Sequence, residues 1–404
     1  MTAIITFLKN LFPSSQHNRI VLVGGTVRDM LMGKESQDID LAAALSADEL
    51  HALGFRLVET SSAAAIHFKH HPEFGKIEVT RVDSMDDLEN DLLRRDFTIN
   101  AIAMNLNGKQ FDPLHGEEDL RGNVLRACSE QTFAGDPLRI FRAFRFEADG
   151  WLMTQDTAEL IRMQDWSAPF SVMPIERFSN EMLKALARKS PERFFERMIE
   201  FNVGAEFLPE IFRMPLIPAG PLIHHPEGDL FTHSIQVLQR VAAKTSDPLA
   251  RFCALFHDLG KLATDPALYP KHHGHDNAGF SMAVDFCNRL TLSATQRTAL
   301  AWISSLHGKA NMWDELRGST KLTIAERAIK AGIIEILPLV AAADKPGGLP
   351  IVGWDDAIRI AGMSTRELGI DQDMLGAMPI RNRQAFILQR RVEALRKLSS
   401  QKKA

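Results

Sequence analysis

Short apolar runs alternate with amphipathic segments along roughly the first third of the chain. Four runs rich in apolar and β-branched residues are predicted as strands: Ile20–Val23, Ile39–Ala42, Lys76–Val82 and Ile99–Asn105. The segments between them carry apolar residues at helical spacing. This mixture predicts an α+β domain around a small mixed sheet, over residues 1–131.

Helical periodicity replaces strand alternation after residue 131. Apolar residues recur every three or four positions in LRIFRAFRFEA and ERFSNEMLKALARKSPERFFERMIEF, which predicts an all-α region over residues 132–212. The proline- and glycine-rich stretch MPLIPAGPLIHHPEGD is the best candidate for a linker. Further helices are predicted for residues 213–348, and a helical tail over 349–404 ends in the basic segment RNRQAFILQRRVEALRKLSSQKKA.

Composition changes this picture little. The 404 residues exceed what one core usually supports, and 45% hydrophobic with 24% charged residues is typical of globular domains. A net charge of −4 excludes a protein that coats nucleic acid indiscriminately. Basic patches at Lys184–Arg197 and Arg381–Lys403 can still contact an RNA backbone, with solvated helix faces as the plain alternative.

The three cysteines are scattered, and no apolar run is long enough to span a bilayer. The sequence therefore predicts a cytoplasmic protein without membrane association. It does not define the number of subunits.

Two aspartates flank one isoleucine in the stretch of residues 21–42, VLVGGTVRDMLMGKESQDIDLA. On a strand, Asp38 and Asp40 project to the same side while Ile39 enters the core. Two adjacent carboxylates repel each other unless a divalent cation neutralises them, and Mg²⁺ is the hard ion that suits oxygen and phosphate ligands. Glu78, in the strand-like KIEVT, is a candidate third carboxylate.

Glycines and an arginine precede these aspartates. Gly24 and Gly25 allow a backbone to approach phosphate oxygens closely, and Arg28 can donate to the same phosphates. A lone paired-aspartate motif or glycine pair is common in ordinary edge strands and turns. The ordered combination favours a nucleotidyl-transfer site.

Arginines follow in two further segments. In LLRRDFTINAIAMN, we expect at least one of Arg94 and Arg95 to lie against the first sheet, near the phosphates. In AGDPLRIFRAFRF, charged residues recur at steps of three and lie on one face if the whole stretch is helical: Asp136, Arg139, Arg142 and Arg145. Asp136 and Arg139 can pair with the edge of cytosine or adenine, while Arg142 and Arg145 contact the triphosphate or the acceptor backbone. Surface ion pairs are the plain alternative.

Taken together, these segments resemble the bacterial class II tRNA nucleotidyltransferases, the CCA-adding family of the polymerase-β superfamily, and the related poly(A) polymerases. The matching motifs are VGGTVRD, DIDLA, IEVTRVD, RRDFTINAIA, FDPLHGEEDLRG, GDPLRIFRAFRF and IERFSNE. The resemblance implies a polymerase-β-like head, helical neck, tRNA as acceptor, CTP with ATP as a further substrate, and Mg²⁺ on the paired aspartates. Nucleotide-binding and metal-binding roles are thereby implied for Gly25, Arg28, Asp38, Asp40, Arg95, Asp136, Arg139 and Arg142.

The chain departs from the family pattern in two places. The template motif usually reads Glu-Asp-x-x-Arg, but Gly135 stands in the place of the glutamate. Only VDSMDDLENDLL separates Arg81 from Arg94, where members that build a complete CCA end carry a flexible loop. The short link favours an enzyme that adds CC, with complete CCA addition as the next hypothesis.

Histidines and aspartates are spread over the helices of the second half, in THSIQVL, LFHDLGK, HHGHDNAG, SSLHGKA and AAADKPG. Their order resembles the HD phosphohydrolase domain of one subgroup of CCA-adding enzymes. This implies phosphatase or 2′,3′-cyclic phosphodiesterase activity with a transition metal or Mg²⁺. The implied ligands are His233, His257, Asp258 and Asp344, with His275 and His307 as candidates for a second site.

Three further interpretations stay open at this point. The HD domain can be a degenerate fold kept for RNA binding. The chain can be a poly(A) polymerase, which shares the motifs of the first half. It can also be an HD hydrolase whose first half binds nucleotides only for regulation.

Overall fold

The computed structural model describes residues 2–35, 38–58 and 66–401. It divides into two compact units, Met1–Trp166 and Ser167–Ala404. The first unit combines a mixed sheet with helices, and the described part of the second consists of helices and connecting segments with one isolated bridge. The predicted class, an α+β head followed by helical regions, is confirmed. The finer boundaries at residues 131, 212 and 348 stay predictions.

The sheet of the first unit has seven strands in the order β3-β4-β5-β2-β1-β6-β7, and a separate pair joins β8 to β9. The strands are β1 (Ile20–Val23), β2 (Asp38–Ala43), β3 (Arg56–Val58), β4 (Ile66–His71), β5 (Gly75–Arg81), β6 (Ala103–Asn105), β7 (Gln110–Phe111), β8 (Val124–Leu125) and β9 (Leu152–Met153). Within the seven-stranded sheet, only β2 and β5 are parallel to each other.

Both faces of this sheet are covered around β1. Ile20 and Leu22 pack into one buried apolar cluster, while Val21 and Val23 pack into another. Because side chains alternate along a strand, the two pairs face opposite sides of the sheet. An uninterrupted apolar run in the sequence therefore marks a central strand.

One predicted strand is shorter than expected. The run Ile99–Asn105 begins as a 3₁₀ turn, Thr98–Asn100, and becomes a strand only at Ala103. Asp96 Oδ1 accepts hydrogen bonds from the Phe97 amide and the Asn100 side chain. These local bonds compete with the sheet ladder for the backbone.

The helices of the first unit are α1 (Thr2–Leu11), α2 (Gly25–Leu31), α3 (Ala47–Ala52), α4 (Leu88–Leu93), α5 (Gly116–Gly122), α6 (Thr132–Gly135), α7 (Leu138–Ala148) and α8 (Gln155–Arg162). Helix α2 begins at Gly25, and only Gly24, whose φ of 68° suits glycine, separates it from β1. Helix α7, predicted to start the neck, belongs to the same compact unit as the sheet.

The helices of the second unit are α9 (Ser167–Ser171), α10 (Ile175–Leu186), α11 (Glu192–Phe201), α12 (Pro209–Arg213), α13 (Leu230–Ala242), α14 (Pro248–Phe256), α15 (His275–Arg289), α16 (Ala294–Ala310), α17 (Gly318–Ala331), α18 (Ile336–Asp344), α19 (Trp354–Gly362), α20 (Gln372–Ala377) and α21 (Ile380–Gln401). The proline- and glycine-rich segment 214–229 lies inside this unit, so its role as a linker stays a prediction. Among helices of the described residues, none combines the length and apolar character needed to cross a membrane.

Small residues bring the middle helices of this unit close together. A Cβ on Gly260 would lie 2.0 Å from the main-chain oxygen of His275, so the turn after α14 lies directly against the start of α15. A Cβ on Gly279 would lie 3.0 Å from Cβ of Ser304, so α15 also approaches α16 closely. These contacts pack the turn after α14, helix α15 and helix α16 closely together.

Candidate active site and metal centre

Three carboxylates share one face of the first sheet. Asp38 and Asp40 lie on β2 with Ile39 fully buried between them, and the parallel register places Glu78 of β5 beside Asp40. Burial raises the pKa of Asp40, and the negative charges of Glu78 and Asp38 raise it further against the effect of Arg95. Because neighbouring negative charges disfavour ionisation of Asp40, a bound cation would stabilise the group of carboxylates.

The glycine turn lies against these carboxylates. A Cβ on Gly24 would lie 3.0 Å from Arg95 Nη1 and 3.2 Å from Asp40 Oδ2. A Cβ on Gly25 would lie 3.6 Å from Arg28 Nη2 and 3.8 Å from the same Asp40 oxygen. The structure therefore brings together the glycines, both arginines and Asp40, as the sequence predicts.

Thr26 connects α2 to β2, and the sequence analysis missed it. Its hydroxyl accepts a hydrogen bond of 2.7 Å from the Asp40 amide and donates one of 3.2 Å to the Asp38 carbonyl. The spacing between the glycine turn and the two aspartates is thereby held by one side chain. Only its place between Gly25 and Arg28 could have indicated this.

A chain of polar contacts runs from Arg142 to Arg28 and includes two residues without a predicted role. Arg142 donates to Asp96 Oδ2 at 2.8 and 2.6 Å, and Asn100 donates to Asp96 Oδ1 at 2.9 Å. Arg28 Nη1 in turn donates to Asn100 Oδ1 at 2.7 Å. Burial acts to raise the pKa of Asp96, but Arg142 and the hydrogen bonds outweigh it and hold this pKa well below its usual range. Asp96 is thus a buried anion that positions two arginines.

Arg139 supports the main chain of the preceding arginine motif. Its guanidinium donates to the carbonyl oxygens of Arg94, Arg95 and Thr132 at 2.7, 3.2 and 3.0 Å. Arg145 lies over the Phe146 ring, 4.8 Å from its centroid.

The expectation of one helical face over positions 136–145 is wrong. Asp136 precedes α7 in an extended conformation, since its φ is −154°. Pro137 stands between this residue and the first turn of the helix. Asp136 can therefore approach a ligand from a different direction than the arginines of α7.

The second unit brings four of the predicted metal ligands together from three segments. His233 of α13 and His257 at the end of α14 point Nε2 at Asp344 Oδ1, at 2.9 and 3.2 Å. Asp258 Oδ2 lies 3.3 Å from His257 Nε2 and 3.7 Å from His233 Nε2. The ligand atoms of these four residues all lie within 4.8 Å of one another, as in a metal site.

A second group lies on the other side of Asp258. His307 Nε2 and His275 Nε2 lie 3.2 and 3.5 Å from Asp258 Oδ1. Asp258 therefore presents one oxygen to each group. The structure brings the two candidate second-site histidines to the place that the sequence predicts.

The four imidazoles share one orientation. Nδ1 of each lies within 3.2 Å of an oxygen that can only accept: Glu227 Oε1 for His233 and main-chain oxygens for His257, His275 and His307. Nδ1 therefore carries the proton, and in the neutral ring Nε2 presents its lone pair to the centre. This is the arrangement that metal-ligating histidines adopt.

The residues present fit a metal ion. Asp258 is 1% exposed, Lys261 Nζ lies 2.7 Å from its Oδ2, and the four site imidazoles lie 3.2 to 3.7 Å from its two oxygens. Burial lowers the pKa of His257, but Asp258 and Asp344 outweigh it and raise this pKa to about 10. The buried carboxylates thus require positive charge, supplied by protons or by a metal.

Sequence analysis missed the supporting residues of this centre. Glu227 accepts hydrogen bonds from His233 and His225, at 2.6 and 3.0 Å. Lys261 also donates to the main-chain oxygen of Ala219, and Asn311 donates to Asp344. Glu227 lies in the proline- and glycine-rich segment 214–229, where no periodic pattern indicates a role for it.

Comparisons with known proteins follow the same division of the chain. The family model of the poly A polymerase head domain matches residues 20–126. The probable RNA and SrmB-binding site of polymerase A matches residues 155–214, and the HD domain matches residues 230–345. Both motif resemblances noted in the sequence are confirmed.

Relatives and solved structures cover most of the chain. A multifunctional CCA protein of Methylococcus capsulatus is 36% identical over 324 residues, which are 76% of this chain and 76% of that protein. A CCA-adding enzyme solved in complex with ATP has a TM-score of 0.64 at 20% identity and covers 98% of this chain and 91% of its own. The Thermotoga maritima CCA-adding enzyme complexed with tRNA has a TM-score of 0.59 at 19% identity and covers 97% of this chain and 95% of its own.

The two solved structures show the shared fold. The extent of identity to the Methylococcus protein shows that the chain belongs to the bacterial CCA-adding tRNA nucleotidyltransferases that carry an HD domain.

Proposed function

We propose that this protein adds CMP residues from CTP to the 3′ end of tRNA and stops after CC. The observation that carries the transferase assignment is the register of β2 and β5, which places Glu78 beside Asp40, next to Gly24 and Arg95. Asp38 and Asp40 would hold Mg²⁺, which supplies activation of a ribose hydroxyl and stabilisation of the leaving pyrophosphate.

The remaining residues of the site bind and orient the nucleotide. Gly25 leaves room for the phosphates, and Arg28 and Arg95 donate to them. Asp136 accepts from the exocyclic amino group of the base, and Arg139 contacts its ring acceptors. Since Arg139 also supports the main chain of Arg95, base selection and phosphate binding are linked.

The short connection between β5 and α4 supports the restriction to CC. Strand β5 ends at Arg81, helix α4 begins at Leu88, and the turn Met85–Asp87 occupies part of the gap. No length remains there for the flexible loop that the resemblance associates with the change from CTP to ATP. The names of the relatives favour complete CCA addition as the second candidate.

The decisive experiment supplies CTP and ATP separately to a tRNA that lacks its 3′ end, and to one that ends in CC. We expect incorporation of CMP into the first and little incorporation of AMP into the second. Efficient addition of a single A after CC would show complete CCA addition. Long products with ATP alone would instead identify a poly(A) polymerase.

For the HD domain we propose metal-dependent phosphohydrolase activity, with 2′,3′-cyclic nucleotides as the first substrates to test. The buried carboxylate of Asp258, which faces imidazoles of both groups, favours an ion there, either a transition metal or Mg²⁺. Hydrolysis of the cyclic phosphate to a nucleoside monophosphate should be lost in His257→Ala and Asp258→Ala. Equal hydrolysis by the wild type and both variants would exclude this role and favour a platform for RNA. The cytoplasm is the location we propose for both activities.

A further inference from the structure

Asp276 lies beside the second group of metal-binding residues without a predicted role. It occupies the first turn of α15, directly after His275, and its Oδ1 lies 3.4 Å from His275 Nε2. The same oxygen is buried, and no donor in the described residues reaches it. A buried carboxylate oxygen without a donor is costly unless a cation is nearby.

The neighbouring helix makes room for this carboxylate. A Cβ on Gly308 would lie 3.0 Å from Asp276 Oδ1 and 3.2 Å from Oδ2. Gly308 follows His307 on α16, where glycine otherwise weakens a helix. The glycine therefore allows the carboxylate of Asp276 to lie next to the residue that carries the other imidazole of this group.

Three electron-rich atoms face one another here. The Nδ1 proton of His275 is directed at the His272 carbonyl oxygen, so its Nε2 has a lone pair when the ring is neutral. That nitrogen lies between Asp258 Oδ1, at 3.5 Å, and Asp276 Oδ1, at 3.4 Å. Apart from the imidazoles of this group, no donor among the described residues reaches either oxygen, so a cation is the partner that satisfies all three atoms when the rings are neutral.

We propose that Asp276 is a ligand of a second divalent cation, together with Asp258, His275 and His307. This rests on the proposed metal centre of the HD domain. The first group offers the ion two imidazoles and two carboxylates, from His233, His257, Asp258 and Asp344. With Asp276, the second group has the same set of donors, and Asp258 bridges the two ions. Mixed nitrogen and oxygen donors suit Mn²⁺ and related first-row ions.

We expect the second site to close slightly when the cation binds. Asp276 lies outside the group formed by Asp258, His275 and His307, whose ligand atoms lie within 4.8 Å of one another. Two ligand atoms at about 2.1 Å from a shared ion are about 3 Å apart when they are neighbours. The carboxylate of Asp276, whose side chain is 28% exposed, has the freedom to make this small movement.

A simpler interpretation is that Asp276 stabilises the start of α15 through the helix dipole, or pairs with a protonated His275. Both effects change stability but leave the number of bound ions unchanged. Counting ions therefore separates a ligand from a residue with only a structural role.

The test uses the full-length protein, loaded with Mn²⁺ after removal of bound metal. Ions per chain are counted by elemental analysis, and the EPR spectrum shows whether two Mn²⁺ ions are magnetically coupled. We expect two coupled ions in the wild type and in Asp285→Asn, an exposed carboxylate on the same helix. In Asp276→Asn we expect one uncoupled ion, because only the second group loses a ligand.

Gly308→Ala provides a second variant that leaves every ligand in place. Its Cβ displaces the carboxylate, so the affinity for the second ion should fall about tenfold or more, even though alanine favours the helix. Two coupled ions in Asp276→Asn would overturn the inference, as would a single ion in the wild type, and the first site would survive both results. A wild type that binds no ion would instead refute the proposed metal centre itself.

Discussion

The two carboxylate clusters of this chain differ in their exposure to water and in how their charge is balanced. On the sheet, Asp38 is exposed, the side chain of Glu78 is 34% exposed, and Arg95 lies nearby. In the helical unit, His257 and Asp258 are 0% and 1% exposed, and Lys261 Nζ lies 2.7 Å from Asp258. An open cluster suits an ion that arrives with its nucleotide, whereas a buried one suits a resident ion.

The hydrogen bonds that hold the site residues also differ between the two clusters. In the head, side chains hold other side chains and the main chain in register, as Thr26 does for β2 and Asp96 does for Arg142. In the helical unit, three of the four site imidazoles donate to main-chain oxygens, two of them within helices α14 and α16. The head therefore relies on contacts between side chains and neighbouring strands, whereas the imidazoles of the helical unit are held mainly by the main chain.

The largest effect is expected from Asp40→Asn, which removes one carboxylate of the open cluster. CMP incorporation should fall about a thousandfold or more, because a catalytic ion contributes several kcal/mol to transition-state stabilisation. Metal content of the helical unit should not change. Incorporation from labelled CTP is the measurement, with the exposed Asp48→Asn as its matched control. Normal incorporation by Asp40→Asn would remove the basis of the transferase assignment.

Metal removal should distinguish the two clusters by the opposite pattern, because its effect on stability should come from the helical unit. An ion present at a thousandfold excess over its dissociation constant stabilises the folded state by about 4 kcal/mol. Calorimetry of the full chain should therefore show a lower unfolding temperature after chelation, restored by Mn²⁺. Asp40→Asn should keep this response, whereas His257→Ala should lose most of it. An identical response in both variants would contradict the difference in resident ions.

Residues on regular elements were predictable from the sequence, and those whose role depends on a distant neighbour were not. The alternation of a strand sufficed to place Asp38 and Asp40 on one face, since Ile39 enters the core. Asn100 lies in a run that was predicted as a strand, yet Asp96 turns the chain there. Asn100 contacts Arg28, which lies 72 positions earlier in the sequence, and no local sequence pattern indicates such a contact.

The same limit applies to the helical unit. The order of histidines and aspartates predicts the candidate metal group, because this order resembles a family motif. Glu227 lies in a proline-rich segment that has no period, and only the folded chain places it beside His233.

Asp96→Asn tests how much the buried Asp96 stabilises the head, and we expect a loss of stability of intermediate size. Removing one partner of a buried ion pair costs about 3–5 kcal/mol, and the 35% exposure of the Arg142 side chain reduces this to about 2 kcal/mol. Denaturant unfolding of this variant, compared with the exposed Asp83→Asn, measures the loss. A difference within error between the two variants would show that the contact with Arg142 adds nothing.

The pH dependence of this loss has a defined sign. Arg142 and the hydrogen bonds hold the pKa of Asp96 below its unfolded value, although burial opposes them. The stabilising contribution is therefore fully present above the unfolded pKa of about 4 and is lost as the pH falls further. The stability difference between wild type and Asp96→Asn should be constant from about pH 5 to 8 and shrink only in stronger acid.

The smallest effect is expected from Glu227→Gln, which keeps the shape of the side chain but removes its charge. Glu227 is the only mutable side chain among the Nδ1 partners of the four site imidazoles, since the other three partners are main-chain oxygens. Loss of a carboxylate that orients a metal-bound histidine lowers metal affinity about 10- to 100-fold. Calorimetric titration with Mn²⁺ should show this loss for the ion held by His233 and leave the ion beside His307 unchanged. The exposed Glu315→Gln is the matched control. Equal titration curves for the two variants would show that the helices alone orient His233, which would extend the rigidity of the metal centre to all four of its imidazoles.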